Sequence, residues 1–159
     1  MTGTGALRFR VAGKADLPAL VRLIADDALA TGGDVYGEPL DPAYAEAFDR
    51  MAAQPGNRFV LAEIAGEAVG CFQVTVTHGL SRRGAARATI ESVKVASGRR
   101  GQGIGAAMMR HAIALAEAEG CALVQLTTQT ARADAHRFYE RLGFRATHLG
   151  MKLALPAKG

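Results

Sequence analysis

Apolar and polar residues alternate over residues 7–11, and the spacing then turns helical, with Leu17, Leu20, Val21, Leu23 and Ile24 on one face behind Asp16 as the capping residue. After the glycine-rich stretch 31–41, read as a loop, a second helix is predicted over 42–53. Pro42 sits in its first turn and Gln54-Pro55-Gly56 ends it. Strand-like runs at 58–64 and 68–77 are joined by Ala65-Gly66-Glu67 as a hairpin, and residues 78–85 turn the chain into a third strand at 88–95. A glycine-rich turn then opens a helix over 104–119, whose apolar positions include Ile104, Met108, Ile113, Leu115 and Ala116 and which Gly120 ends. A strand at 122–127, a helix at 132–142 and a final strand at 144–155 complete the pattern.

The predicted order is strand, two helices, three strands, then helix, strand, helix, strand. Neither a repeat nor a break in composition interrupts it, so one mixed α/β domain over residues 1–159 is expected. With 49% apolar and 21% charged residues, the chain has a globular balance rather than a disordered one. The N-terminus lacks a charged segment leading into an apolar run, and no stretch is long and apolar enough for a membrane helix, so a cytoplasmic protein is expected.

The net charge of +4 raises the question of nucleic acid, but the arginines are scattered (Arg8, Arg22, Arg58, Arg82, Arg99, Arg132, Arg145), which favours a solvated basic surface. Cys71 and Cys121 lack metal-site or disulfide spacing and read as small core residues. No cluster of His, Cys and Asp suggests a metal. His111 and His136 read as packing or surface residues.

The segment Arg99-Arg100-Gly101-Gln102-Gly103-Ile104-Gly105 lies between a strand and an amphipathic helix. Its backbone N–H groups converge at a helix N-terminus, a place for an anion, and glycine permits close approach and positive φ. A Walker loop would need Gly-Lys-Ser/Thr where Gly105-Ala106-Ala107 stands, and a dinucleotide fingerprint would need G-x-G-x-x-G in an early βαβ unit.

At these residues the chain resembles the GNAT N-acetyltransferase family. The family signature Arg/Gln-x-x-Gly-x-Gly/Ala is met by Arg100 through Gly105, and the likeness extends to Ile90-Glu91-Ser92-Val93-Lys94-Val95 before it and to Ala135 through Phe144 after it. The resemblance covers roughly residues 88–155. It implies a central, mostly antiparallel sheet flanked by helices and splayed between the fourth and fifth strands, with acetyl-CoA as cosubstrate. Val93 and Val95 would meet the pantetheine arm, and the turn of Arg100, Gly101, Gln102, Gly103, Gly105 and Ala106 would take the pyrophosphate. Many relatives carry an asparagine seven residues before the conserved tyrosine; Arg132 stands there, a cation suited to a cofactor phosphate or to the acceptor, and is grouped with the cofactor-binding residues.

Transfer to an amine requires a route for the amine's proton, a polarised thioester carbonyl and a proton for the departing thiolate. Alternation places Glu91 on the same face as Val93 and Val95, where a buried carboxylate is expected to be paired or functional, so Glu91 is the candidate general base, acting through a water. Many relatives have their carboxylate at the end of the next strand, where this sequence has Thr127. The resemblance makes Tyr139 the general acid toward the CoA sulfur. For the acceptor, Asp34, Tyr36 and Glu38 offer attraction to a cationic amine, and Ser81, Arg82 and Arg83 to a carboxylate or phosphate. A small-molecule primary amine is the first expectation, a peptide or protein amine the second, and a noncatalytic acyl-CoA-binding module the alternative of a different class. Neither nucleic acid nor a membrane is expected as a partner. A homodimer, with the last strand at the contact, is expected from the resemblance alone.

Overall fold

The computed structural model describes residues 5–26 and 33–157, in two units, residues 1–126 and 127–159. The first unit holds strand β1 (Leu7–Val11), helices α1 (Leu17–Ala25) and α2 (Pro42–Ala52), strands β2 (Asn57–Ile64) and β3 (Glu67–Thr77), and a single turn α3 (Ser81–Gly84). It continues with β4 (Ala86–Val95), α4 (Ile104–Ala118) and β5 (Cys121–Leu126). The described part of the predicted 31–41 loop, residues 33–41, contains no regular element, and its first two positions lie outside the described residues.

The five strands lie in sequence order in one sheet. Strands β1 to β4 form antiparallel pairs, β1 and β2 across the two helices and β2 to β4 through short connections, and the α4 crossover brings β5 in parallel to β4. One face of the sheet carries α1, whose Leu20 and Leu23 pack with Ala12, Leu61 and Cys71 in a single cluster bordered by Phe48 and Phe59. The other face carries α4. There Met108 lies so close over Gly70 that a Cβ on that glycine would sit 2.6 Å from the Met108 sulfur, and His111 stacks on Phe9 with 4.3 Å between ring centres.

Local chemistry explains the helix starts. Asp41 accepts a hydrogen bond from the Ala43 amide at 2.9 Å ahead of Pro42, which opens α2. Asp16, expected to cap α1, turns back instead: it accepts from the Gly13 amide at 2.8 Å and from Arg10 at 2.7 Å, and makes no cap bond to α1. The hydrogen bonds of Arg10 hold the Asp16 carboxyl below its ordinary range, although burial opposes them.

The second unit contains α5 (Ala133–Arg141). Tyr139 packs edge to face against Phe138 and Phe144, and the turn after the helix is closed by the Phe144 amide on the Tyr139 carbonyl at 3.1 Å. The predicted final strand is a correction: residues 144–157 form no strand, and the observed sheet has five members rather than six. A strand needs a partner for its backbone, and apolar alternation alone does not supply one. No described helix is long and apolar enough to cross a membrane.

Candidate active site

Strand β4 has two different halves. Its pairing with β5 runs from Ala86↔Cys121 to Ile90↔Leu126 and stops there, while β4 continues to Val95 against β3 alone. Among the described residues the β5-facing backbone of residues 91–95 therefore pairs with no strand, which is the expected splay between the fourth and fifth strands. An extended amide-containing ligand can add to such an edge as a strand would.

The pairing with β3 also changes register here. Gln73 is opposite Glu91 and Cys71 opposite Lys94, so Phe72 alone faces Ser92 and Val93. Ser92 takes up the extra residue with φ of 50°, in the left-handed region. This bulge overturns the expectation that Glu91 shares a face with Val93 and Val95. Cross-strand partners share a face, so Glu91 goes with Gln73 to the α1 and α2 side and Val95 goes with Gly70 to the α4 side. Val93, next to Lys94, also points to the α4 side. Nor is Glu91 buried: its side chain is exposed.

Beyond Val95 a 3-10 turn, Ser97–Arg99, leads into the glycine segment. Gly101 and Gly103 have φ of 74° and 78°, and a Cβ on either would meet nothing within 4 Å. Glycine is thus demanded by the backbone conformation, and the space above the turn is open. Gly103 precedes α4 without any capping side chain, the first turn carries no acidic residue, and the first bond across the start of the helix is the Ala107 amide to the Gly103 carbonyl at 3.1 Å. The amides of Ile104, Gly105 and Ala106 precede it and have no helical acceptor, which is the condition for binding an anion.

The two arginines of the turn are committed to the protein. Arg99 pairs with Glu67 at 2.8 Å, while Arg100 donates to the Val95 carbonyl at 3.3 Å and the Asp26 carbonyl at 3.5 Å. The Asp26 carboxylate accepts from the Ser97 amide at 2.8 Å. Asp26 therefore fastens the end of α1 to both ends of the turn. Sequence reasoning missed it, because it lies 71 residues from Ser97 and carries no local signal.

On the Glu91 side of the sheet, a cavity of about 240 Å³ is lined by Leu17, Leu20, Tyr44, Phe48, Phe59 and Gln73 among others. Phe59 pairs with Gln73 and Gln73 with Glu91, so the cavity lies in the same row of the sheet as Glu91. A larger one, about 700 Å³, is lined by Arg22, Asp26, Asp34, Tyr36 and Glu67 among others. Its Glu67 and Ala96 place it at the far end of β3 and past the end of β4, away from Glu91. Of the loop residues expected to attract an amine, Glu38 is held by Arg22 at 3.1 Å and by the Tyr36 hydroxyl, and Asp34 accepts from Tyr44 at 3.1 Å. Ser81, Arg82 and Arg83 sit where β3 ends and β4 begins, at the opposite end of β4 from the glycine turn.

In the second unit Tyr139 is half-buried, and burial pushes its phenol above the ordinary value while the Arg132 cation pulls the other way. Arg132 is exposed and supplies the N-cap position of α5. His136 accounts for itself by a 2.9 Å contact with the Gln129 carbonyl. Cys71 is buried, with its thiol pushed up to about 12 by burial, and is a core residue as expected. Among the described residues no group of three or more His, Cys, Asp or Glu is placed to hold a metal.

Comparison with known proteins adds to this geometry. The family model described as "Acetyltransferase (GNAT) family" matches residues 20–144. The chain is 31% identical over 128 residues to the streptothricin acetyltransferase of Streptomyces lavendulae, covering 80% of this chain and 58% of that protein. It is 31% identical over 113 residues to the aminoalkylphosphonate N-acetyltransferase of Salmonella typhimurium, covering 71% and 73%. A crystal structure from Bacillus halodurans C-125, named a transcriptional regulator, superposes with a TM-score of 0.90 at 42% identity, over 94% of this chain and all of that one.

Proposed function

Because the chain belongs to the acetyltransferase (GNAT) family, we propose that it transfers the acetyl group of acetyl-CoA to the primary amine of a small molecule, by direct attack on the thioester. The observation that carries this reading is the half-paired strand β4 running into an uncapped glycine turn. That arrangement supplies, in order along the chain, a backbone edge for an amide-rich arm and converging N–H groups for a pyrophosphate. The Gly101, Gly103, Gly105 and Ala106 amides would take the pyrophosphate, and the chain at Val93 and Val95 the pantetheine. The Arg100 side chain, tied to Val95 and Asp26, shapes the turn.

In this reading the amine nitrogen bonds to the acetyl carbon, the carbon–sulfur bond breaks, and the amine's proton passes through water to Glu91. An exposed carboxylate beside Gln73 is open to that water. The thiolate takes its proton from Tyr139, whose raised phenol remains protonated at neutral pH. Relatives that act on streptothricin and on aminoalkylphosphonates support a small amine over a protein lysine. The family match crosses the boundary between the two units, which supports one catalytic domain over residues 1–159.

A second reading, a noncatalytic acyl-CoA-binding regulator, is favoured by the name of the Bacillus halodurans structure. Thiol release from acetyl-CoA across a panel of amino acids, polyamines, aminoglycosides and peptides decides between them. Acceptor-dependent turnover that falls by about 100-fold in Glu91→Gln and Tyr139→Phe, with the melting temperature unchanged, supports the enzyme. Tight acetyl-CoA binding without turnover on any acceptor supports the regulator, and absence of binding removes both.

A further inference from the structure

Helices α1 and α2 do not fill the space against β2 and β3. A cavity of about 240 Å³ remains there, and every residue that lines it belongs to the first unit. Its apolar walls include Leu17 and Leu20 from α1, Phe48 and Met51 from α2, and Phe59 from β2. Phe48 and Phe59 are only half-buried against the buried Leu20, Leu61 and Cys71, so apolar surface is left facing the cavity.

Among the described residues no charged side chain lines this space. The polar groups at its wall are already hydrogen-bonded within the chain. Gln73 donates to Asn57 at 2.8 Å, and the Tyr44 hydroxyl lies 3.1 Å from the Asp34 carboxylate and 3.3 Å from the Val35 amide. A hydrocarbon entering here exchanges water for carbon contacts, whereas a sugar hydroxyl or a second ammonium loses its hydration without a new partner.

Size and place narrow the occupant further. An apolar cavity of about 150 Å³ holds benzene, so this one holds a phenyl ring on a short stem or an alkyl chain of about six carbons. Gln73 lines the cavity and pairs with Glu91 on the same face of the sheet. Such neighbours lie about 5 Å apart, so a molecule seated against Gln73 can place a group on a stem of about two or three bonds beside Glu91.

Taking the acetyltransferase reading as premise, we propose that the acceptor is a primary amine with one uncharged apolar body of phenyl or hexyl size, seated in this cavity with its nitrogen beside Glu91. Phe48, Met51 and Phe59 then set the specificity, and polycationic and sugar amines are poor acceptors.

The wild-type chain tests this through kcat/KM with acetyl-CoA for n-alkylamines from ethylamine to n-hexylamine, for phenethylamine and for spermidine. Each added methylene is expected to raise kcat/KM about fourfold, through KM, until the cavity is full. Spermidine is expected to fall at least about tenfold below n-hexylamine. Ala47 also lines the cavity, from an exposed position of α2, and Ala47→Leu keeps a good helix former while filling part of the space. That variant is expected to lower the kcat/KM ratio of n-hexylamine to ethylamine about tenfold, with the melting temperature unchanged. A flat series, a preference for spermidine, turnover confined to acceptors outside the series, or a wild-type ratio in Ala47→Leu overturns this inference and leaves the acetyltransferase reading standing. Absence of turnover with every amine overturns both.

Discussion

The first five residues of β4 and the last five belong to one strand but live in different surroundings. Residues 86–90 lie between β3 and β5, and Ala86, Ala88 and Ile90 are 7%, 0% and 2% exposed. Residues 91–95 keep β3 but lose β5, contain the left-handed Ser92, and include no buried side chain. The first half is built for stability. The second gives up one line of hydrogen bonds and strict alternation, which leaves its β5-facing backbone without a described strand partner and Glu91 exposed to solvent. Local departure from regular structure beside a regular scaffold is how a site is positioned without unfolding its support.

The largest effect that would test this division is expected in the paired half. Ala88 is fully buried between Val76 and Val124, and Ala88→Asp places an unpaired carboxylate there, with an expected loss of about 3–5 kcal/mol by urea unfolding. Glu91→Gln, three residues on, is expected to change stability by less than about 0.5 kcal/mol. Comparable losses at the two positions would mean that the halves are not distinct.

A smaller effect is expected across from the open half, where β3 is β4's only neighbour. Gly70 pairs with Val95, and a Cβ there would lie 2.6 Å from the Met108 sulfur and 2.9 Å from the Lys94 carbonyl oxygen. Gly70→Ala must move either α4 or the open strand, at about 1–3 kcal/mol. Because the push falls on the Lys94 carbonyl, weaker acetyl-CoA binding should accompany the lower melting temperature. An unchanged melting temperature would show that the contact relaxes freely.

Much of the scaffold was legible in the sequence, since strands β1 to β5 and four of the helices follow from hydrophobic period and from Pro, Gly and Asp at their ends. The glycine turn was legible for the same local reason. Three things were not. The bulge rests on Ser92, which carries no mark of a left-handed residue, so alternation assigned Glu91 to the wrong face. Asp26 acts across 71 residues of chain. The segment 144–155 has the period of a strand but is not one, and period reports a preference for pairing, not the pairing itself. Each of these is set by tertiary context, whereas the features that were read correctly are set within a few residues.

The smallest predicted effect concerns the face of the sheet that carries α4, where His111 stacks on Phe9 and meets Phe72 edge-on at 6.4 Å. Burial lowers the pKa of His111, so the folded chain holds it neutral below the ordinary value near 6.5. Over the interval between the lowered and the ordinary value the unfolded chain binds more protons, and linkage then makes stability fall as pH falls. The contribution is complete above the ordinary histidine value and is lost as pH drops through that interval. Asp16, with its carboxyl held below its ordinary value by Arg10, begins to lose its contribution only as pH falls toward the ordinary carboxylate value. The urea midpoint is expected to decline modestly from about pH 7.5 to about pH 5.5 in the wild type, and His111→Phe, which preserves the stack, should flatten that decline. An equal slope in both proteins would place the acid sensitivity in titratable groups other than His111.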